Sequence, residues 1–204
     1  MSKKKFDFLV VLILLIATAW LSLVFKPKPL TGGLLYTLLP SVYLLLRENK
    51  NYKKLILGTF VFGVLFGFFF YFIETFNKAW VVPNMVIPYK VFGILPFDDI
   101  LGFMIMTFFM LVFYEHFLDD EKNFSVSPHI YKALIPTFLL VLIVMIVFLV
   151  NPSSLNLTHA YLKGGIAAII FPLVFAFRKP CLIGKLSVAT IFFFSFGFCL
   201  RLWR

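Results

Sequence analysis

Two adjacent carboxylates, Asp98 and Asp99, follow Leu95-Pro96-Phe97 at the mouth of a long apolar run, Ile100 to Phe117. The chain holds nine acids in 204 residues, and most are expected in polar loops. An acid pair at membrane depth, or at its edge, is costly and usually functional. Burial and a like-charged neighbour both favour the neutral form of one member. A neutral carboxyl inside hydrocarbon can deliver a proton to an apolar substrate. A third acid, Glu74, ends the preceding apolar run, and Trp80 stands between the two.

Each of these residues also has a plainer reading. Glu74 is one turn before Lys78, a spacing that suits an ion pair on a helix surface. Asp98 and Asp99 would be favourable as N-terminal caps of the Ile100 helix. Trp80 near a span end is a default interfacial anchor. His116 and His129 lie near Asp119-Asp120-Glu121, which reads as a solvated charged loop sooner than as a metal site. His159 stands in another loop with no partner in view. Cys181 and Cys199 form no metal or redox pattern.

The elements that must position these residues follow from composition. With 62% hydrophobic residues, 29 Phe and a mean hydropathy of +1.00, no soluble domain of this size could hide its apolar surface. About 20 apolar residues span a bilayer as a helix. The runs are continuous, without the alternation of a membrane barrel. The expected fold is therefore all-α, a polytopic transmembrane bundle. The net charge of +10 does not indicate a nucleic-acid partner, because the basic residues cluster between apolar runs, as topology signals do.

Seven spans are expected: Phe8–Phe25, Gly32–Leu46, Leu55–Phe76, Ile100–Phe117, Ala133–Val150, Leu162–Phe177 and Leu186–Trp203. The first, preceded by Lys3-Lys4-Lys5, reads as an uncleaved span and not as a signal peptide. Pro40 and Pro172 interrupt the second and sixth. With the N-terminus in the cytoplasm, the inner segments hold twelve Lys or Arg and the outer ones seven. That bias places the N-terminus inside and Asp98-Asp99 outside.

An internal repeat is expected within the single integral membrane domain 1–204. Leu38-Leu39-Pro40-Ser41-Val42-Tyr43 leads to Arg47, and Ile170-Phe171-Pro172-Leu173-Val174-Phe175 leads to Arg178-Lys179. Each is followed by a basic turn and a Phe-rich span. Unit one covers about 6–120 and a partial unit two about 131–204, in parallel orientation. The second unit reaches Arg201-Leu202-Trp203-Arg204 where its own acid motif should begin.

The central block runs Tyr71-Phe72-Ile73-Glu74-Thr75-Phe76-Asn77-Lys78-Ala79-Trp80, then Pro83-Asn84, Tyr89, Gly93 and Leu95-Pro96-Phe97-Asp98-Asp99. It resembles the lycopene cyclase domain of the membrane-integral, heterodimeric or tandem-fused carotenoid cyclases. That domain has an acid at the end of one helix, a Trp-containing loop, and a Pro-hydrophobic-acid-acid motif opening the next helix. Glu74 stands where the family usually has Asp, and Asp98-Asp99 replaces the more usual Glu pair. Leu101-Gly102-Phe103 departs from the expected Phe-Phe, and the family's Trp loop survives only in part. The likeness covers roughly Tyr36 to Phe117.

The resemblance implies a redox-neutral cyclisation, an isomerase of the intramolecular-lyase type. A proton adds to a terminal double bond, a tertiary cation forms, the chain closes on it, and a ring carbon gives up a proton. This needs a protonated acid, a base, and a dry surround rich in aromatic faces. Asp98 or Asp99 would be the acid, with the other tuning it. Glu74 would be the base or second acid. Trp80, Pro96 and Phe97 would contact the substrate. No cofactor enters the chemistry itself; the sequence leaves open whether a reduced flavin or nucleotide is needed. The implied partners are an apolar polyene or isoprenoid lipid, membrane lipid, and a second cyclase subunit or another copy. The implied location is a bacterial or archaeal cytoplasmic membrane. The alternatives are a partner-dependent subunit, a transporter with a proton relay, and a prenyltransferase-like enzyme. For the last, Glu115 and Asp119 have a magnesium-type spacing without a second copy.

Overall fold

A chain in hydrocarbon must satisfy its backbone N–H and C=O groups internally, and the apolar runs do so as helices. The computed structural model describes residues 3–47, 51–82, 84–119, 131–178, 183–185 and 187–193. Its α-helices are α1 (Lys3–Phe25), α2 (Pro29–Arg47), α3 (Tyr52–Gly58), α4 (Phe66–Phe76), α5 (Phe97–Phe117), α6 (Tyr131–Val150) and α7 (Ala160–Arg178). A π-helical segment, Thr59–Leu65, joins α3 to α4 in one rod, Tyr52–Phe76. A short antiparallel hairpin, β1 (Lys90–Val91) and β2 (Leu95–Pro96), precedes α5 and was not expected from the sequence.

Among the described residues, four helices are long and apolar enough to cross a membrane: Lys3–Phe25, Pro29–Arg47, Tyr52–Phe76 and Phe97–Phe117. The 21 residues of α5 reach about 31 Å, close to the ~30 Å of a bilayer's hydrocarbon. The fifth and sixth runs form α6 and α7, with shorter apolar stretches, Leu134–Val150 and Ala160–Ile170. The seventh run lies mostly outside the described residues. So do the end of the chain, His129 and Asp120-Glu121.

The chain divides into two compact units, residues 1–160 and 161–204. In the first, α5 is the hub, packed against α2, α3, the π segment and α4, while α1 lies along α2. On α1 the buried residues are Asp7, Val11, Leu15 and Thr18, a stripe at helical spacing. Its other faces leave Ile13, Ile16, Trp20 and Phe25 exposed, as suits lipid. Hydroxyls bond to their own helices: Thr18 to Leu14 O, Ser22 to Thr18 O, Thr37 to Gly33 O and Ser41 to Thr37 O. That leaves no hydroxyl donor among them unsatisfied in lipid.

Glycine sets the distance between the Tyr52–Phe76 rod and α5. A Cβ on Gly63 would meet the Met104 backbone at 3.1 Å, and one on Gly67 would overlap the Phe103 ring. Small residues let membrane helices approach closely. At the Asp99 end, Phe72, Leu95, Val144 and Leu155 form an apolar cluster. Asn77 ties α4 to the turn after α6: its amide nitrogen donates to Leu155 O at 2.9 Å, and its carbonyl accepts from Leu157 N at 2.6 Å. Of the second unit, the structure describes the remainder of α7 and helical backbone at 183–185 and 187–193.

Candidate functional site

The site is built where α4 ends and α5 begins. Lys78 has φ 55°, a left-handed residue of the kind that terminates helices. The chain therefore turns back, and the backbone N–H groups of Ala79 and Trp80 donate to Glu74 O at 2.8 and 3.4 Å. This reversal brings the Trp80 side chain to α5. Its indole N–H donates to Asp99 Oδ1 at 3.3 Å. The Trp80 ring meets Tyr71 edge-on at 6.0 Å, and Tyr71 meets Phe103 at 5.3 Å. Glu74 lies near enough to Asp99 for the two carboxylates to interact electrostatically.

The two aspartates do different work. Asp98 is 4% exposed and accepts from the backbone N–H groups of Val86 and Ile87, at 2.5 Å on Oδ2 and 3.1 Å on Oδ1. Both carboxyl oxygens therefore accept from backbone donors of the loop. Asp99 is 9% exposed. One oxygen takes the Trp80 bond, and Oδ2 is buried with no partner among the described residues. Buried polar atoms are nearly always bonded, so a bare one calls for an explanation.

Several expectations are corrected here. The acid pair lies within the first turn of α5, since the helix begins at Phe97 and not at Ile100. Pro96, extended at φ −58° and ψ 133°, takes the capping position with no side-chain cap bond. Asp98 turns to the 80s loop, away from its own helix end. Glu74 makes no ion pair with Lys78 among the described residues, because Lys78 belongs to the reversing turn. Pro96 and Phe97 sit at the hairpin–helix junction, where Pro96 pairs with Lys90 and Phe97 N donates to Tyr89 O at 3.0 Å.

A second polar centre lies at the far end of α5, and sequence reasoning missed it. Asp7, not singled out among the acids of the sequence, is 2% exposed on α1. Its Oδ1 accepts from Tyr43 Oη at 2.7 Å and Arg47 Nε at 2.6 Å, and its Oδ2 meets His116 Nε2 at 3.1 Å. His116 is fully buried, neither solvated nor, among the described residues, in a cluster able to hold a metal. The signal available was Asp7 itself, an acid set between Phe6 and Phe8 at the start of an apolar run. Lys54 bridges Glu115 at 2.5 Å and Asp119 at 3.8 Å beside it.

Compared with known proteins, the chain matches no family model, and no curated protein or solved structure shows significant similarity to it. Fold and site together define an all-α chain with four long apolar helices, the make-up of an integral membrane protein. Its buried acids gather at both ends of the central helix.

Proposed function

We propose that this chain cyclises the end group of an apolar polyene of the lycopene type, by protonation within the membrane. The observation that carries the reading is the bare, buried Oδ2 of Asp99, held by Trp80 beside Glu74. Asp99 carries the transferable proton on that oxygen. Transfer to a terminal double bond leaves a tertiary cation, and attack by an internal double bond closes the ring. Glu74 accepts the proton lost from a ring carbon. Proton exchange between the two acids restores the start, so no electrons are gained or lost. Trp80, whose N–H meets the acid, leads edge-on to Tyr71 and from there to Phe103, a string of aromatic rings of the kind that supports cationic intermediates.

The same reading includes seven spans, a parallel repeat, a cytoplasmic N-terminus and a substrate drawn from the lipid phase. A prenyltransferase reading is less favoured, because Glu115 and Asp119 are both engaged by Lys54. A partner-dependent subunit remains the second reading, since both acids of the site come from the first unit.

The test is expression in a bacterial host that accumulates lycopene, with chromatography of the pigments, beside an Asp99→Asn variant. Monocyclic or bicyclic product that disappears in the variant supports the reading. Unchanged lycopene from a well-inserted chain, alone and with a companion cyclase subunit, would overturn it.

A further inference from the structure

The segment between α4 and α5, residues 77–96, has a surface that the acid site does not use. It contains no Asp or Glu. Val81 is 70% exposed, Tyr89 59%, Phe92 56% and Val86 37%, and Lys78 and Lys90 are exposed among them. So much apolar exposure on one connection marks a contact surface.

The segment is pinned, so its exposure is built in. Asp98 holds Val86 and Ile87 by their N–H groups, and Lys28 Nζ donates to Met85 O at 3.1 Å. The hairpin fixes its second half. Between the paired Val91 and Leu95 the loop is Phe92-Gly93-Ile94, with Phe92 and Gly93 both left-handed at φ 53° and 72° and Ile94 N donating back to Val91 O at 3.1 Å. A bulky aromatic at positive φ is a genuine outlier, and here it presents a large apolar ring at the tip.

Charge and position indicate what covers the surface. Across residues 25–29 and 77–99 the only acids are Asp98 and Asp99, both buried. The exposed charges there are Lys26, Lys28, Lys78 and Lys90, all positive. The segment leaves one apolar helix and enters the next, at the level where their lipid-exposed faces end. Aromatic and basic side chains at that level are characteristic of the headgroup layer.

We propose that residues 77–82 and 84–96 form an interfacial flap covered by the phospholipid of the surrounding bilayer. Val81, Val86, Tyr89 and Phe92 enter the boundary between acyl chains and headgroups, and Lys78 and Lys90 meet phosphates. Asp98 is the latch that holds the flap over Asp99. This seating does not depend on the chemistry assigned to Asp99.

The test uses the full chain with Cys181 and Cys199 replaced by Ser, in phosphatidylcholine vesicles containing phosphatidylglycerol. A nitroxide is placed in turn at Val81→Cys, Tyr89→Cys and Phe92→Cys, with Lys53→Cys as an aqueous reference. The labels at 81 and 92 should lie about 5–10 Å below the phosphates, colliding with oxygen more than with a water-soluble nickel chelate. Chelate collisions equal to those of the reference would overturn the proposal, as would exclusion of both reagents, which means cover by protein. In a second arm, Lys78→Glu with Lys90→Glu should make the labels shallower, more so with phosphatidylglycerol than without. Equal depth with and without the anionic lipid would overturn the role of the lysines.

Discussion

Trp80 and Asp99 meet through one hydrogen bond, indole N–H to carboxylate Oδ1 at 3.3 Å, and that bond decides which oxygen of Asp99 is left bare. Without it the carboxyl can rotate and exchange its two oxygens. Trp80→Phe keeps an aromatic face beside Tyr71 but removes the donor. A hydrogen bond to the protonated carboxyl contributes about 0.5–1.5 kcal/mol. Cyclised product in the lycopene host should fall by roughly 2- to 10-fold with insertion unchanged. The Trp80→Phe, Asp99→Asn double variant should be no worse than Asp99→Asn alone. A further loss in the double variant would mean that Trp80 acts independently of Asp99.

Asp98 and Asp99 should separate by stability. Asp98→Asn turns one acceptor oxygen into an amide nitrogen facing the N–H of Val86 or Ile87. Leaving a buried donor unpaired costs about 1–3 kcal/mol. Thermal denaturation in detergent should show that loss, together with faster proteolysis of the 80s loop. Asp99→Asn removes no bond at Oδ2 and should melt with the parent. Equal destabilisation by both variants would contradict the division between latch and acid.

The helical membrane class was legible because continuous apolar runs admit few alternatives. The acid pair was legible for the same reason, as charge at the edge of hydrocarbon is rare. The division of labour within the pair was not. It depends on the chain reversing at Lys78 and on the loop folding over α5, and Lys78 bears no mark of its left-handed conformation. The expected span starts lie three or more residues late at α1, α2, α3 and α5, because lysines, prolines and acids in first turns lower local hydropathy without ending a helix. Asp7 and His116 were missed as a pair because periodicity within one helix says nothing about partners on another.

Gly67 and Gly102 lie on facing elements and should respond oppositely to alanine. A Cβ on Gly67 would overlap the Phe103 ring, while one on Gly102 meets nothing within 4 Å. Gly67→Ala must displace the Phe103 ring, which is in contact with Tyr71 and through it with Trp80. Overpacking of this kind costs about 1–3 kcal/mol, and activity should fall with it. Gly102→Ala should be neutral, or stabilising by up to about 1 kcal/mol from helix propensity. Detergent melting of the two variants checks the pair, and a stable, fully active Gly67→Ala would show that the ring string has slack.

Asp7 holds three helices at once through Tyr43 and Arg47 of α2 and His116 of α5. His116 is fully buried, and Arg47 is 38% exposed at its side chain. Removing the shared carboxylate would therefore strand the imidazole more severely than the guanidinium, which can reach water. Breaking a fully buried pair costs about 3–5 kcal/mol, and the partial exposure of Arg47 lowers the expectation for Asp7→Ala to roughly 2–3 kcal/mol. His116→Ala should cost less, because Asp7 keeps two donors on Oδ1. A double-mutant cycle should return a coupling of about 0.5–3 kcal/mol, read from unfolding midpoints in mixed detergent. Additive losses would mean that the two side chains do not share an interaction, and α1 would then be held to α5 by the Phe8–Phe117 ring contact at 5.7 Å without the buried polar bond.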